Sequence, residues 1–307
     1  MNKDLDNAKG FLPSPFAYRK GLRVVVDELI DSNKTSIAKY VSAYSRGIFS
    51  PTDFMILKYI YILGPVTRNS ITRLIGGDCS KCKRALRKLR TRGLVCKNEL
   101  WCDDEVKIID YYTLSSVGYQ ICKITGKNAG LDFKNKLVST AGTILNDISS
   151  AEDVLKNLAL ANFRAAIEMS YGDVISRTYN NYCVVEQKQQ VKIPIMYNIL
   201  GPNELLLIPV CCRRSRGWRR GLVNYLSLII THIKKKFSTK QIVFVFVVED
   251  NAMAGEVVDG LLDNGMRKDV LYLFASDIFA NNDDILDNLV SISLKDTKKY
   301  SIVSLIA

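Results

Sequence analysis

Residues 80–95, SKCKRALRKLRTRGLV, carry Lys81, Lys83, Arg84, Arg87, Lys88, Arg90 and Arg92 and no Asp or Glu. The chemistry such a stretch offers is charge neutralisation. An ammonium meets a phosphate as a point charge, and a guanidinium can also fork onto the edge of a guanine. A second cluster, Arg213, Arg214, Arg216, Arg219 and Arg220 with Trp218 among them, precedes the run Lys234-Lys235-Lys236. There the aromatic adds a surface on which an unpaired base could stack. An acidic partner, such as the acidic C-terminal region of another copy, is the alternative use of the same arginines.

Other chemistries are poorly supplied. Cys79-x-x-Cys82, Cys96 and Cys102 have the look of a zinc set. Cys79 and Cys82 open a predicted helix of about 15–18 Å, however, and Cys96 lies beyond its far end. Four ligands must meet at ~2.3 Å from one ion, so the spacing argues for buried thiols instead. Cys211 and Cys212, adjacent on a predicted strand, point to opposite faces. The sole histidine, His232, sits on a predicted helix beside the lysine run with no nucleophile signature near it. Tyr300 lacks the arginine-histidine-arginine frame of a tyrosine recombinase, and no Gly-x-x-x-x-Gly-Lys loop occurs. No catalytic residue, cofactor or metal is therefore expected.

The 307 residues have a formal charge of +12 and are 48% hydrophobic, enough for two domains with cores and a surface that favours an anionic partner. No apolar run approaches the ~20 residues of a membrane span. The start, MNKDLDNAKG, is not a secretory signal, and the eight cysteines then read as reduced thiols, so a cytoplasmic protein without membrane contact is expected.

The elements that must position the first basic cluster follow from caps and periodicity. Residues 1–49 read as an arm with one or two helices, and residues 15–30 fit a helix or a strand. Ser50, Pro51 and Asp53 then open a helix, PTDFMILKYIYIL, which Gly64-Pro65 ends. Thr67 caps RNSITRLI, and Gly76-Gly77-Asp78 turns the chain into the basic helix, where Cys82, Ala85, Leu86 and Leu89 form one apolar stripe. Gly93 supplies its left-handed stop. Two strand patterns, LVCKNELW and VKIIDYYTL, flank the acidic turn Cys102-Asp103-Asp104-Glu105, and Ser115-Ser116 lead into a further helix. Three helices and a two-stranded ribbon are the order of a winged helix-turn-helix, expected here over residues 50–128. Its third helix would enter a major groove. Ser80, Lys81, Lys83, Arg84, Arg87 and Lys88 are the expected contacts, with Arg90 flanking them and Arg68 and Arg73 on the backbone. The acidic tip makes wing contact with a duplex doubtful.

The run 50–122 resembles the winged-helix part of the replication-relaxation family of plasmid and mobile-element proteins. The likeness rests on the opening Ser50-Pro51-Thr52-Asp53, on the basic helix ending Arg92-Gly93-Leu94-Val95, and on the close Tyr112-Thr113-Leu114-Ser115-Ser116-Val117-Gly118. The last pattern is shared by many winged-helix regulators.

Residues 129–150 read as a linker. From Ala151 a helix, three strand patterns, a helix over about 216–237 and the buried strand IVFVFVV follow. Helix 254–265, strand 270–275, helix 283–292 and strand 300–306 are expected after it. Helix, three strands, helix, strand is the core order of a restriction-endonuclease-like α/β domain, expected over 151–307, and the resemblance implies the same. Active members carry an acid after a proline on the second strand and Glu-x-Lys on the third. Here Ile193-Pro194-Ile195 and Pro209-Val210-Cys211 stand in those places, leaving Glu186 and Glu204 as the nearest acids. The expected function is non-catalytic binding of double-stranded DNA, and the resemblance implies an accessory role in plasmid transfer or replication. A homodimer is the default, and the resemblance implies a relaxase or replication protein as partner. The alternatives are a transcription regulator and a Mg²⁺-dependent nuclease using Glu186 and Glu204.

Overall fold

A computed structural model of the chain describes residues 16–17, 19–26, 40, 42–43, 46–103, 105–128, 150–186, 189–201, 204–214, 217–263, 270–276, 289–292, 297–300 and 305. The expected linker therefore lies outside the described residues except for Ser150. In the first half the first described strand is β1 (Arg23–Val26), where a helix or a strand was open. Helices α1 (Pro51–Leu63), α2 (Arg68–Leu74) and α3 (Cys79–Thr91) follow. Strands β2 (Val95–Trp101) and β3 (Lys107–Leu114) and helix α4 (Ser116–Asn128) complete it.

Local chemistry sets these bounds. Ser50 Oγ accepts from the Asp53 amide while the Asp53 carboxylate accepts from the Ser50 amide, a capping box that starts α1. Thr67 and Asp78 cap α2 and α3 from one side only, accepting from the Ser70 and Lys81 amides, with Asp78 Oδ1 2.8 Å from the latter. Gly76 and Gly77, both at positive φ (90° and 84°), make the turn between them. Leu57 and Ile60 of α1, Ile71 of α2, and Cys82, Leu86 and Leu89 of α3 close over Leu94, Tyr112 and Leu114 as one apolar core.

The antiparallel sheet beside this core has three strands, in order β1-β2-β3, where the sequence suggested two. The arm supplies the third, with Val24 opposite Leu100 and Val26 opposite Asn98.

The second half opens with α5 (Ala151–Tyr171), capped by Ser150. It continues through β4 (Ile175–Glu186), β5 (Gln189–Ile199), β6 (Leu205–Cys211), α6 (Trp218–Lys236), β7 (Gln241–Val248), α7 (Asn251–Asp263) and β8 (Leu271–Ser276). Strands β9 (Leu289–Ile292) and β10 (Thr297–Tyr300) follow. The seven strands form one mixed sheet, β10-β9-β8-β7-β6-β5-β4, with β6, β7 and β8 parallel. Phe163, Ala166 and Ile167 of α5 pack on one face. Leu226 and Ile229 of α6 and Met253 and Val257 of α7 pack on the other.

One expectation near the C-terminus is corrected. Residues 289–292, expected in a helix, pair antiparallel with Thr297–Tyr300, and one register places Leu289 opposite Tyr300. Of the strand expected at 300–306, Tyr300 lies in β10, which begins at Thr297, and residues 301–304 and 306 lie outside the described residues. Apolar spacing in so short a segment suits either element, and the free edge of β8 settles it through Phe274 and Val290.

The halves share a core. Leu100 of β2 and Tyr111 of β3 pack with Phe16 against Val154, Leu155, Leu158 and Ala159 of α5. The hydroxyl of Ser70 on α2 donates to Asn162 Oδ1 at 3.0 Å, and both residues are buried. Helix α5 is thus covered on both sides, which explains why Asn162 and Arg164 are buried along with its apolar residues.

Candidate nucleic-acid interface

Helix α3 separates its two chemistries by face. Cys82, Ala85, Leu86 and Leu89 are buried, and Ser80, Lys83, Arg84, Arg87 and Thr91 recur every three or four residues on the opposite, exposed side. The Cys82 thiol lies 3.9 Å from the Arg68 carbonyl, inside the stripe, while Cys79 is exposed and Cys96 sits on β2. Among the described residues no three His, Cys, Asp or Glu side chains are grouped to hold a metal.

The flank of α3 nearest α1 is used differently. The Lys88 ammonium lies 2.7 Å from Asp53 Oδ2 and 2.8 Å from the Ile48 carbonyl, and the Asp53 side chain is 2% exposed. Lys88, expected among the main contacts, is therefore a tie between α3 and the start of α1. Lys81 keeps an exposed side chain but has Asp78 at 3.4 Å. The Lys81 amide, above all, holds the Asp78 carboxyl below its ordinary range. So acids lying outside the 80–95 stretch do reach two of its bases. Ser50, Thr52, Lys81, Arg84 and Lys88 line an open groove of about 240 Å³ between α1 and α3. Arg90 is half-buried on the other flank; on α2, Arg68 is exposed and Arg73 half-buried.

The β2–β3 ribbon holds its cations in a closed network. Lys97 and Lys107 each reach both Glu99 and Asp110, at 3.1–3.3 Å, and the Trp101 indole N–H donates to Glu99 at 3.0 Å. Burial would raise the Glu99 and Asp110 carboxyls, but the lysines outweigh it and hold both low. At the tip, Asp103 and Glu105 are exposed, and Arg23 reaches Glu105 at 3.9 Å.

The second basic cluster is corrected more strongly. Arg213 is 2% exposed, and its guanidinium donates to the carbonyls of Phe16, Cys212 and Val247. Arg214 meets Glu249 at 2.5 Å, Asp250 at 2.9 Å and Glu256 at 3.4 Å, and Arg219 meets Glu256 at 2.8 Å. These arginines answer acids of the same chain, at the end of β7 and on α7. Arg219 first, and Arg214 beside it, hold the Glu256 carboxyl below its ordinary value. Burial favours a raised Asp250, and the hydrogen bonds from Arg214 reverse it. Arg220 is exposed, and Arg216 lies outside the described residues.

Glu186 and Glu204 are not brought together. Glu186 pairs with Gln189 at the turn end of β4–β5, whereas Glu204 precedes Leu205, which pairs with Ile199. The 11-residue β5 lies between them, about 30 Å of extended chain. Glu204 instead pairs with Lys240 at 2.6 Å. The places of the missing nuclease acids hold the buried Ile193 and Ile195, and Pro209 within β6. Among the described residues no helix is long and apolar enough to cross a membrane.

No family model matches the chain, and no curated protein or solved structure matches it.

Proposed function

We propose that the first half is a winged helix-turn-helix that binds double-stranded DNA, with α3 as its recognition helix. The observation that carries this reading is the exposed stripe of Ser80, Lys83, Arg84 and Arg87, opposite a fully buried stripe on the same helix. A helix so divided can lie in a groove while its other face stays in the core. Arg84 and Arg87 have the reach to read base edges, and Lys81, Lys83 and the exposed Arg68 suit phosphates. The β2–β3 ribbon, with its lysines neutralised and its tip acidic, stays off the duplex in this reading.

The second half is proposed as a restriction-endonuclease-like domain that does not cut. Its role, by the resemblance of residues 50–122, is that of an accessory in the transfer or replication of a plasmid or mobile element. It would act in the cytoplasm as a homodimer beside a relaxase or replication protein. Titrating the protein against a labelled random duplex across a salt series, with Mg²⁺ present, tests this. Binding whose log K falls with log salt at about −0.9 per phosphate contact is expected, with the duplex uncut. Arg84→Ala with Arg87→Ala should weaken it at least tenfold; unchanged binding by that variant would sink the reading.

A further inference from the structure

The cations of the second half are unevenly employed. Arg213, Arg214 and Arg219 are held within the chain, whereas Arg177, Lys235 and Lys236 are exposed and, among the described residues, unpaired with any acid. They converge where β4 meets the end of α6. The Arg177 guanidinium stands 5.0 Å from the centre of the Tyr179 ring, and the Lys236 ammonium 5.0 Å from that of Tyr182. Between them the two tyrosine rings are 6.0 Å apart, each also against Phe237. The Tyr182 hydroxyl is 3.3 Å from His232 Nε2, which ties the row to α6.

Part of this has an ordinary explanation. Lysines in the last turn of a helix answer its dipole, and half-buried tyrosines cover the rim of a core. Neither accounts for Arg177, which comes from the strand and stands at the opposite end of the aromatic row from Lys236. We propose that this row is a binding surface for single-stranded nucleic acid, with phosphates on Lys235 and Lys236 and bases against the outer side of the exposed Arg177 guanidinium that covers the Tyr179 ring. Cations flanking aromatic rings are the combination such strands require, because an unpaired base exposes a π-face that a duplex hides. The rings also hold the cations in place, which lowers the ordering cost of each contact. The row lies on the α6 face of the sheet, away from α5 and the first half, so it is independent of α3.

The test uses the full chain and a labelled oligothymidylate of about 20 nucleotides, longer than the ~4–16 that one single-strand site covers. Wild type should bind it, and Arg177→Ala with Lys235→Ala and Lys236→Ala should lose at least tenfold in affinity with an unchanged melting temperature. The variant Arg84→Ala with Arg87→Ala should keep this binding while losing the duplex, so the two readings fail separately. The assignment is overturned if wild type ignores the oligonucleotide at low salt or if the triple variant binds it normally. It is equally overturned if the triple variant loses duplex affinity alone.

Discussion

Arg87 and Lys88 are neighbours in sequence with opposite employment. Arg87 is exposed, and Lys88 reaches the buried Asp53. Lys88→Ala would leave that carboxylate without its cation and should cost about 1–3 kcal/mol in urea unfolding, with duplex affinity of the folded protein nearly unchanged. A similar loss of duplex affinity to that of Arg87→Ala would return Lys88 to the interface. Arg214 makes a pH prediction. Asp250 and Glu256 are held below their ordinary 3.8 and 4.5. The unfolded chain therefore takes up protons first, so this stabilisation is present above that range and lost as pH falls through the folded values. Arg214→Met should flatten the fall in urea midpoint as pH drops below the ordinary carboxylate range, chiefly through Asp250, since Arg219 still holds Glu256. An equally steep fall would show that these carboxylates owe nothing to Arg214. Lys88 and Arg214 were unreadable in the sequence for one reason: their acids come from elements 35 and 36 residues away. Arg213 was harder still, since its partners are backbone carbonyls, which carry no compositional sign.

At the scale of elements, the pattern Tyr112-x-Leu114-Ser115-x-x-Gly118 acquires a cause. Ser115 Oγ donates to the Gly93 carbonyl at 2.5 Å and accepts from the Gly118 amide at 3.0 Å, pinning the start of α4 against the turn after α3. A Cβ on Gly118 would come within 2.0 Å of the Leu94 carbonyl oxygen. Gly118→Ala should therefore cost about 2–3 kcal/mol and lower the melting temperature clearly. A neutral result would mean that the turn can yield. The caps of α1 and α2 and the runs that became β6 and β7 were legible because local chemistry or continuous apolarity sets them. The strands β1 and β9 were not, because four residues beside a waiting sheet edge take their form from that edge.

At the scale of the molecule, α5 is a wall common to two cores. Trp101 and Trp218, the only two tryptophans, fall in different halves and report on each. Single-tryptophan variants should unfold at the same urea concentration; separated midpoints would show that the halves melt independently. Asn162→Ala, which removes the hydrogen bond across their junction and leaves the Ser70 hydroxyl only Thr67, should lower both midpoints together, by about 1 kcal/mol.

That common wall also bears on what can be moved. A piece ending near residue 128 would carry Leu100 and Tyr111 into water, and one beginning at 50 would also bare the β2 edge that β1 covers and take the Phe16 carbonyl from Arg213. Neither half is a cassette. If α3 reads a duplex as proposed, an exchange meant to give this chain another target belongs on the outer stripe of α3, residue by residue, with α5 left in place.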